Sequence, residues 1–172
     1  MISEDYQHVI FFMGHNKTKN GEKAYFSNWY PVSFVDELGI VYQNTEQYMM
    51  YKKAILFGDK IMADRILECS DPHRVKQMGR KVKNFKEEIW MENARNIVAQ
   101  GCYYKFNQNP ELKQFLESTK DKILVEASPY DKLWGIGLNE RDAIRTPMES
   151  WPGKNWLGEC LMKVRHQISI TE

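Results

Sequence analysis

Apolar positions along this chain fall more often at helical than at alternating spacing, so the pattern predicts several helices and only a little sheet. His8-Val9-Ile10-Phe11-Phe12-Met13 is a short β-branched and aromatic run that stops at Gly14, the length and composition of a buried strand. Val32-Ser33-Phe34-Val35 and Ile40-Val41-Tyr42 flank Asp36-Glu37-Leu38-Gly39 and predict a small hairpin. From Asn44 or Thr45, either of which can cap, the pattern becomes helical to about Phe57 and ends at Gly58. Asp59 to Cys69 predicts a second helix, and Asp71-Pro72 supplies the cap and first position of a third. Phe85 to Phe106 carries the longest helical signal, and Asn109-Pro110 opens a short helix through Glu117. Lys122-Ile123-Leu124-Val125-Glu126 predicts another strand, and Leu157 to about Ile168 a last helix. Together these make an α+β fold: one helix-rich domain over residues 1–172, around a small, mostly antiparallel sheet.

The segments between the elements hold the chemistry. Glu126 to Gly137 packs acid, aromatic and glycine into a stretch that suits neither helix nor strand, and it presents Asp131 and Trp134 together. A carboxylate beside a large π-face suits a sugar joined to a base, although an acidic turn with a core Trp reads equally well. Phe26-Ser27-Asn28-Trp29 either points Ser27 and Asn28 into a ring-walled cavity or ends a strand in a turn. Gly14 to Lys23 is polar and exposed, with a turn at Asn20-Gly21, and Leu138 to Trp151 is a long polar connection. Asn155 can cap the last helix and leave its first N–H groups as an anion cradle.

Three helical residues carry a second set of candidates. Glu46 lies in a first turn, where the macrodipole favours an anion, and shares a stripe with Met50, Lys53 and Phe57. About two turns separate Glu46 from Lys53, too far for an ordinary surface ion pair but suited to gripping one ligand. The plainer alternative is a capping Glu on a solvated face. Trp90 is a core residue or a ligand platform, and the basic run Gly79-Arg80-Lys81-Val82-Lys83-Asn84 reads better as a solvated corner than as a phosphate contact.

Composition narrows the classes. A chain of 172 residues with 42% hydrophobic content supports one substantial core, and a net charge of +1 provides no global field toward nucleic acid or membrane. Cys69, Cys102 and Cys160 are widely spaced, which predicts reduced thiols rather than a disulfide framework or zinc site. An acidic amino terminus, Met1-Ile2-Ser3-Glu4-Asp5, and the absence of any apolar run of about 18 residues predict a cytoplasmic protein away from membranes. No Walker or dinucleotide glycine pattern is present.

Phe26-Ser27-Asn28, Thr45-Glu46-Gln47-Tyr48, Trp90, Ser128-Pro129-Tyr130-Asp131 with Trp134-Gly135-Ile136-Gly137, and Gly153-Lys154-Asn155-Trp156-Leu157-Gly158 together resemble the YbiA-like, or NADAR, family from about Phe26 to Arg165. Trp29 stands where relatives commonly place Phe or Tyr. The resemblance implies a YbiA-like fold and N-glycosidase activity, with no cofactor and no metal. Some members of the family cleave ribosylamino intermediates of riboflavin biosynthesis, releasing ribose 5-phosphate; others remove ADP-ribose from modified guanine. The partners it implies are a phosphorylated N-riboside or an ADP-ribosylated base, the latter with contact to nucleic acid. Carried onto this chain, the catalytic positions are Glu46, Trp90 and Asp131, expected to converge on one cleft. Phe26, Ser27, Asn28, Gln47, Tyr48, Trp134 and Gly135 are candidate substrate contacts, with Trp134 also an anchor for its loop, and Lys53 and Asn155 are candidates for phosphate. A non-catalytic ADP-ribose or nucleotide-binding module using the same pocket is the competing reading.

Overall fold

In the computed structural model, which describes residues 6–172, the elements in chain order are β1 (Val9–Phe12), α1 (Lys17–Asn20), β2 (Phe34–Val35), β3 (Val41–Tyr42), α2 (Thr45–Leu56), α3 (Lys60–Leu67), α4 (Pro72–Gly79), α5 (Glu87–Gln108), α6 (Pro110–Ser118), β4 (Ile123–Glu126), α7 (Glu140–Ala143) and α8 (Trp156–Ile170). The acidic amino terminus lies outside the described residues. The chain gathers into two units, one from the segment up to Ser27 together with Lys113–Glu172, the other Asn28–Leu112.

The first unit is built on a parallel pair, with Val9 opposite Ile123 and Phe12 opposite Glu126. This corrects the expected mostly antiparallel sheet: there are two separate two-stranded sheets among the described residues, one parallel and one antiparallel. A parallel pair needs a long crossover, and the chain between β1 and β4 supplies one that no local pattern announces. Phe11, Val125, Ala127, Ile136 and Ala143 form a core against this sheet, with Trp151 packed on it. The polar insert after Gly14 contains helix α1, capped by Asn16, and a 3-10 turn over Gly21–Phe26 that buries Tyr25 and Phe26. The Leu138 to Trp151 connection is also more ordered than its sequence suggests, because Trp151 Nε1 donates to the carbonyls of Ala143 (3.2 Å) and Thr146 (3.1 Å).

In the second unit the helix starts follow their caps. Asn44 Oδ1 accepts from Gln47 N (2.8 Å), Asp59 Oδ1 from Met62 N (3.1 Å) and Asp71 Oδ1 from His73 N (3.0 Å), with Pro72 at the first helical position. Helix α2 packs on α3, α4 and α5. At Gly101 of α5 an added Cβ would lie 2.5 Å from the Tyr48 ring, so α2 and α5 approach as closely as they do because that side chain is missing. The hairpin is pinned by Asp36, whose Oδ1 accepts from Leu38 N and Ile40 N and whose Oδ2 accepts from the Tyr42 hydroxyl (2.8 Å). No helix among the described residues is long and apolar enough to cross a membrane.

Candidate active site

Glu46 stands at the start of α2 and is only 5% exposed, so it is no capping residue on a solvated face. Its N–H donates to the Asn28 carbonyl (2.9 Å), which ties the Asn28 segment to the helix start. Asn28 and Thr45 are buried beside it, and Asn28 Oδ1 and Thr45 Oγ1 have no hydrogen-bond partner among the described residues. Buried polar atoms are nearly always satisfied, so these two oxygens, one on the residue before Glu46 and one on the residue that takes its N–H, stand out as candidate contacts for a bound polar group.

The same unit brings Lys53 and Trp90 together. The Lys53 ammonium lies 4.5 Å from the centre of the Phe85 ring and 5.4 Å from that of Trp90, an aromatic slot for a cation. Burial holds Lys53 below the usual lysine range; the Glu46 charge opposes that shift and the Arg80 charge adds to it. Glu46 and Lys53 therefore act on each other electrostatically across the two turns that separate them. Trp90 is 7% exposed and Phe85 44%, so one ring closes the slot and the other faces solvent. Arg80, from the basic run expected to be a solvated corner, acts on the Lys53 charge, and Phe85, expected only as the start of a helix, flanks the ammonium. Phe85 stands two residues beyond Lys83, after Asn84, at the predicted start of the longest helix.

Three expected substrate contacts have other work. The Gln47 amide donates to the carbonyls of Ile66 (3.1 Å) and Cys69 (2.8 Å) and accepts from Gln43 N (2.7 Å), binding the end of α3 to α2. Tyr48 sits in a ring cluster with Phe34, Tyr42 and Tyr104, where burial raises its hydroxyl pKa. Phe26, in the first unit, has no exposed surface and packs 5.1 Å from both Phe12 and Phe115. Gln47, Tyr48 and Phe26 are thus structural in this fold, because each side chain is already satisfied or enclosed. Ser27 is buried at the end of the 3-10 turn, its N–H donating to the Ala24 carbonyl (3.1 Å).

The loop after β4 belongs to the first unit. Asp131 Oδ1 accepts from Leu133 N and Trp134 N, each at 2.8 Å, so this carboxylate builds the turn that presents it. Trp134 lies edge-on to Trp156 with ring centres 5.7 Å apart, and its carbonyl accepts from Leu157 N (3.1 Å). Gly135 takes the Asn155 N–H on its carbonyl (3.1 Å), and a Cβ on Gly153 would stand 2.3 Å from that same oxygen. The loop is therefore clamped to the start of α8.

Asn155 departs from expectation. Its backbone is left-handed (φ 54, ψ 40) and its side chain makes no cap. Instead Oδ1 accepts from Glu126 N (3.0 Å) and Nδ2 donates to the Leu124 carbonyl (2.9 Å), pairing with strand β4. The Trp156 and Leu157 N–H groups are taken by the Leu133 and Trp134 carbonyls, both at 3.1 Å. The expected anion cradle is thus filled by the chain's own loop.

Comparison with known proteins agrees with the resemblance. Residues 11–169 match the NADAR domain. The chain is 46% identical over 162 residues to N-glycosidase R617 of Acanthamoeba polyphaga mimivirus, covering 92% of this chain and 95% of that protein. It is 29% identical over 150 residues to N-glycosidase YbiA of Shigella boydii serotype 4 (strain Sb227), covering 87% and 82%. The fold superposes on the NMR structure of the E. coli protein YbiA with a TM-score of 0.76 at 25% identity, over 95% of this chain and 86% of that one.

Proposed function

This chain belongs to the NADAR domain family as a YbiA-like N-glycosidase, a hydrolase, and we propose that the bond it cleaves joins a phosphorylated ribose to a base-like nitrogen. Ribosylamino-pyrimidine phosphates of riboflavin biosynthesis and the ADP-ribose linkage to guanine both carry this bond. The observation behind the proposal is the buried Glu46 side chain at a helix start, where Asn28 and Thr45 keep orphaned side-chain oxygens and the Glu46 charge acts on the Lys53 ammonium.

Breaking a C–N glycosidic bond builds oxocarbenium character at the sugar C1, which a fixed carboxylate stabilises. In the proposed step the C1–N bond breaks, its electron pair leaves with nitrogen, and water adds to C1. The water proton passes to a carboxylate and the departing nitrogen is protonated, so the net reaction is hydrolysis. Glu46 serves here as a carboxylate at C1, while the Asn28 and Thr45 oxygens meet sugar hydroxyls. Trp90 walls the sugar or base, and Lys53 takes the phosphate. Asp131 is a second carboxylate on which turnover depends, as water activator or sugar orienter.

Incubation with a ribosylamino-pyrimidine phosphate, and separately with DNA containing ADP-ribosylated guanine, tests the proposal. Release of ribose 5-phosphate or of ADP-ribose supports it and selects the substrate. Release of neither at micromolar enzyme refutes the phosphorylated N-riboside assignment.

A further inference from the structure

A concavity in the first unit is lined by side chains that the proposed hydrolysis does not use. It encloses about 380 Å³ at the carboxyl ends of β1 and β4, where Met13 and Ala127 follow the last paired residues. Its remaining walls include Lys19 and Lys23 from the insert after β1 and Glu140 at the start of α7. The volume falls within the range of about 300–1,000 Å³ typical of ligand sites, and the ends of parallel strands are where such sites collect.

The charges make the choice of ligand. Among the described residues Lys19 and Lys23 make no ion pair, whereas Lys17 of the same insert donates to the Tyr25 hydroxyl (2.7 Å). Two ammonium groups without an ion pair, against the one Glu140 carboxylate, leave this lining net positive and favour a phosphate. Glu140 adds an acceptor for sugar hydroxyls, and Met13, 42% exposed, offers a polarizable apolar face to a flat ring.

We propose that this cavity binds a nucleoside phosphate, with phosphate on Lys19 and Lys23, a ribose hydroxyl on Glu140 and the base against Met13. The insert between Gly14 and Lys23 thereby acquires a function, as the basic wall of a nucleotide site. Binding is read without turnover, so this site stands or falls apart from the hydrolysis.

The test is a titration of the ¹⁵N-labelled full chain with ADP and with adenosine, following backbone amide shifts. The expected result is saturable shifts at Met13, Asn20, Lys23, Ala127 and Glu140 with ADP, and at least about tenfold weaker binding of adenosine. The Lys19→Gln/Lys23→Gln double variant, which alters only exposed side chains, should weaken ADP by about tenfold or more at the same amides. Absence of shifts at those amides, equal affinity for adenosine, or an unchanged ADP affinity in the double variant each overturns the proposal.

Discussion

Asn155→Ala separates the two jobs that the sequence and the structure give this residue. The substitution deletes the acceptor for Glu126 N and the donor to the Leu124 carbonyl, at 3.0 and 2.9 Å. Each such bond contributes about 1 kcal/mol net. It also leaves Ala at φ 54, where a Cβ costs roughly 1 kcal/mol more than Asn, whose side chain tolerates the left-handed region. The sum is about 3 kcal/mol, or a fall in Tm of roughly 6–12 °C for a chain of this size. Asn155→Gly loses the same two hydrogen bonds but not the backbone comfort, so it should recover about 1 kcal/mol of the loss. Urea and thermal unfolding of the three proteins measure these differences, and the Glu126 amide should exchange faster in both variants. If Asn155→Ala lies within about 0.5 kcal/mol of the parent, the bridge to β4 is not what Asn155 contributes.

Three further outcomes follow from side chains already described. Asp131→Asn keeps an acceptor for Leu133 N and Trp134 N, so Tm should hold while single-turnover cleavage falls about a hundredfold; an unchanged rate would leave Asp131 as a turn builder alone. Burial lowers the Lys53 pKa, so its ammonium is lost at a pH below the ordinary 10.5, and KM for a phosphorylated substrate should rise through that window and become flat in Lys53→Met. A pH profile of KM that Lys53→Met leaves unchanged would remove Lys53 from phosphate binding. Lys105 is fully buried and held at about 8 against an ordinary 10.5, so the unfolded chain binds more protons between those values and stability rises with pH across them. Urea unfolding at a series of pH values should show that slope shrink in Lys105→Met; an identical slope contradicts the assignment.

What could be read in advance was local chemistry. Asn44, Asp59 and Asp71 cap the helices that follow them because an N-cap depends on residues within three positions of itself. Direction of pairing was not legible, since β1 and β4 meet from opposite ends of the chain and neither run records whether its partner is parallel. Asn155 shows how a correct local rule fails: Asn before a helical pattern suggests a cap, but a left-handed backbone turns the side chain to a strand that precedes it by about thirty residues. The helical stripe from Glu46 to Lys53 was visible as spacing. The burial of Glu46 and the aromatic flanks of Lys53 were not, because they depend on the Asn28 carbonyl meeting the start of α2 and on Phe85 and Trp90 standing beside the ammonium. Gln47 adjoins Glu46 in the same motif, yet only the structure shows that its amide is spent on clamping the end of α3.

Glu46→Gln tests the central claim most directly. The amide is isosteric, and the helix cap at Asn44 and the Glu46 N–H bond to Asn28 do not depend on the carboxylate. Single-turnover release of the sugar phosphate should fall about a hundredfold or more while the thermal unfolding profile remains that of a folded protein. A folded Glu46→Gln protein that cleaves at the parent rate would contradict the account.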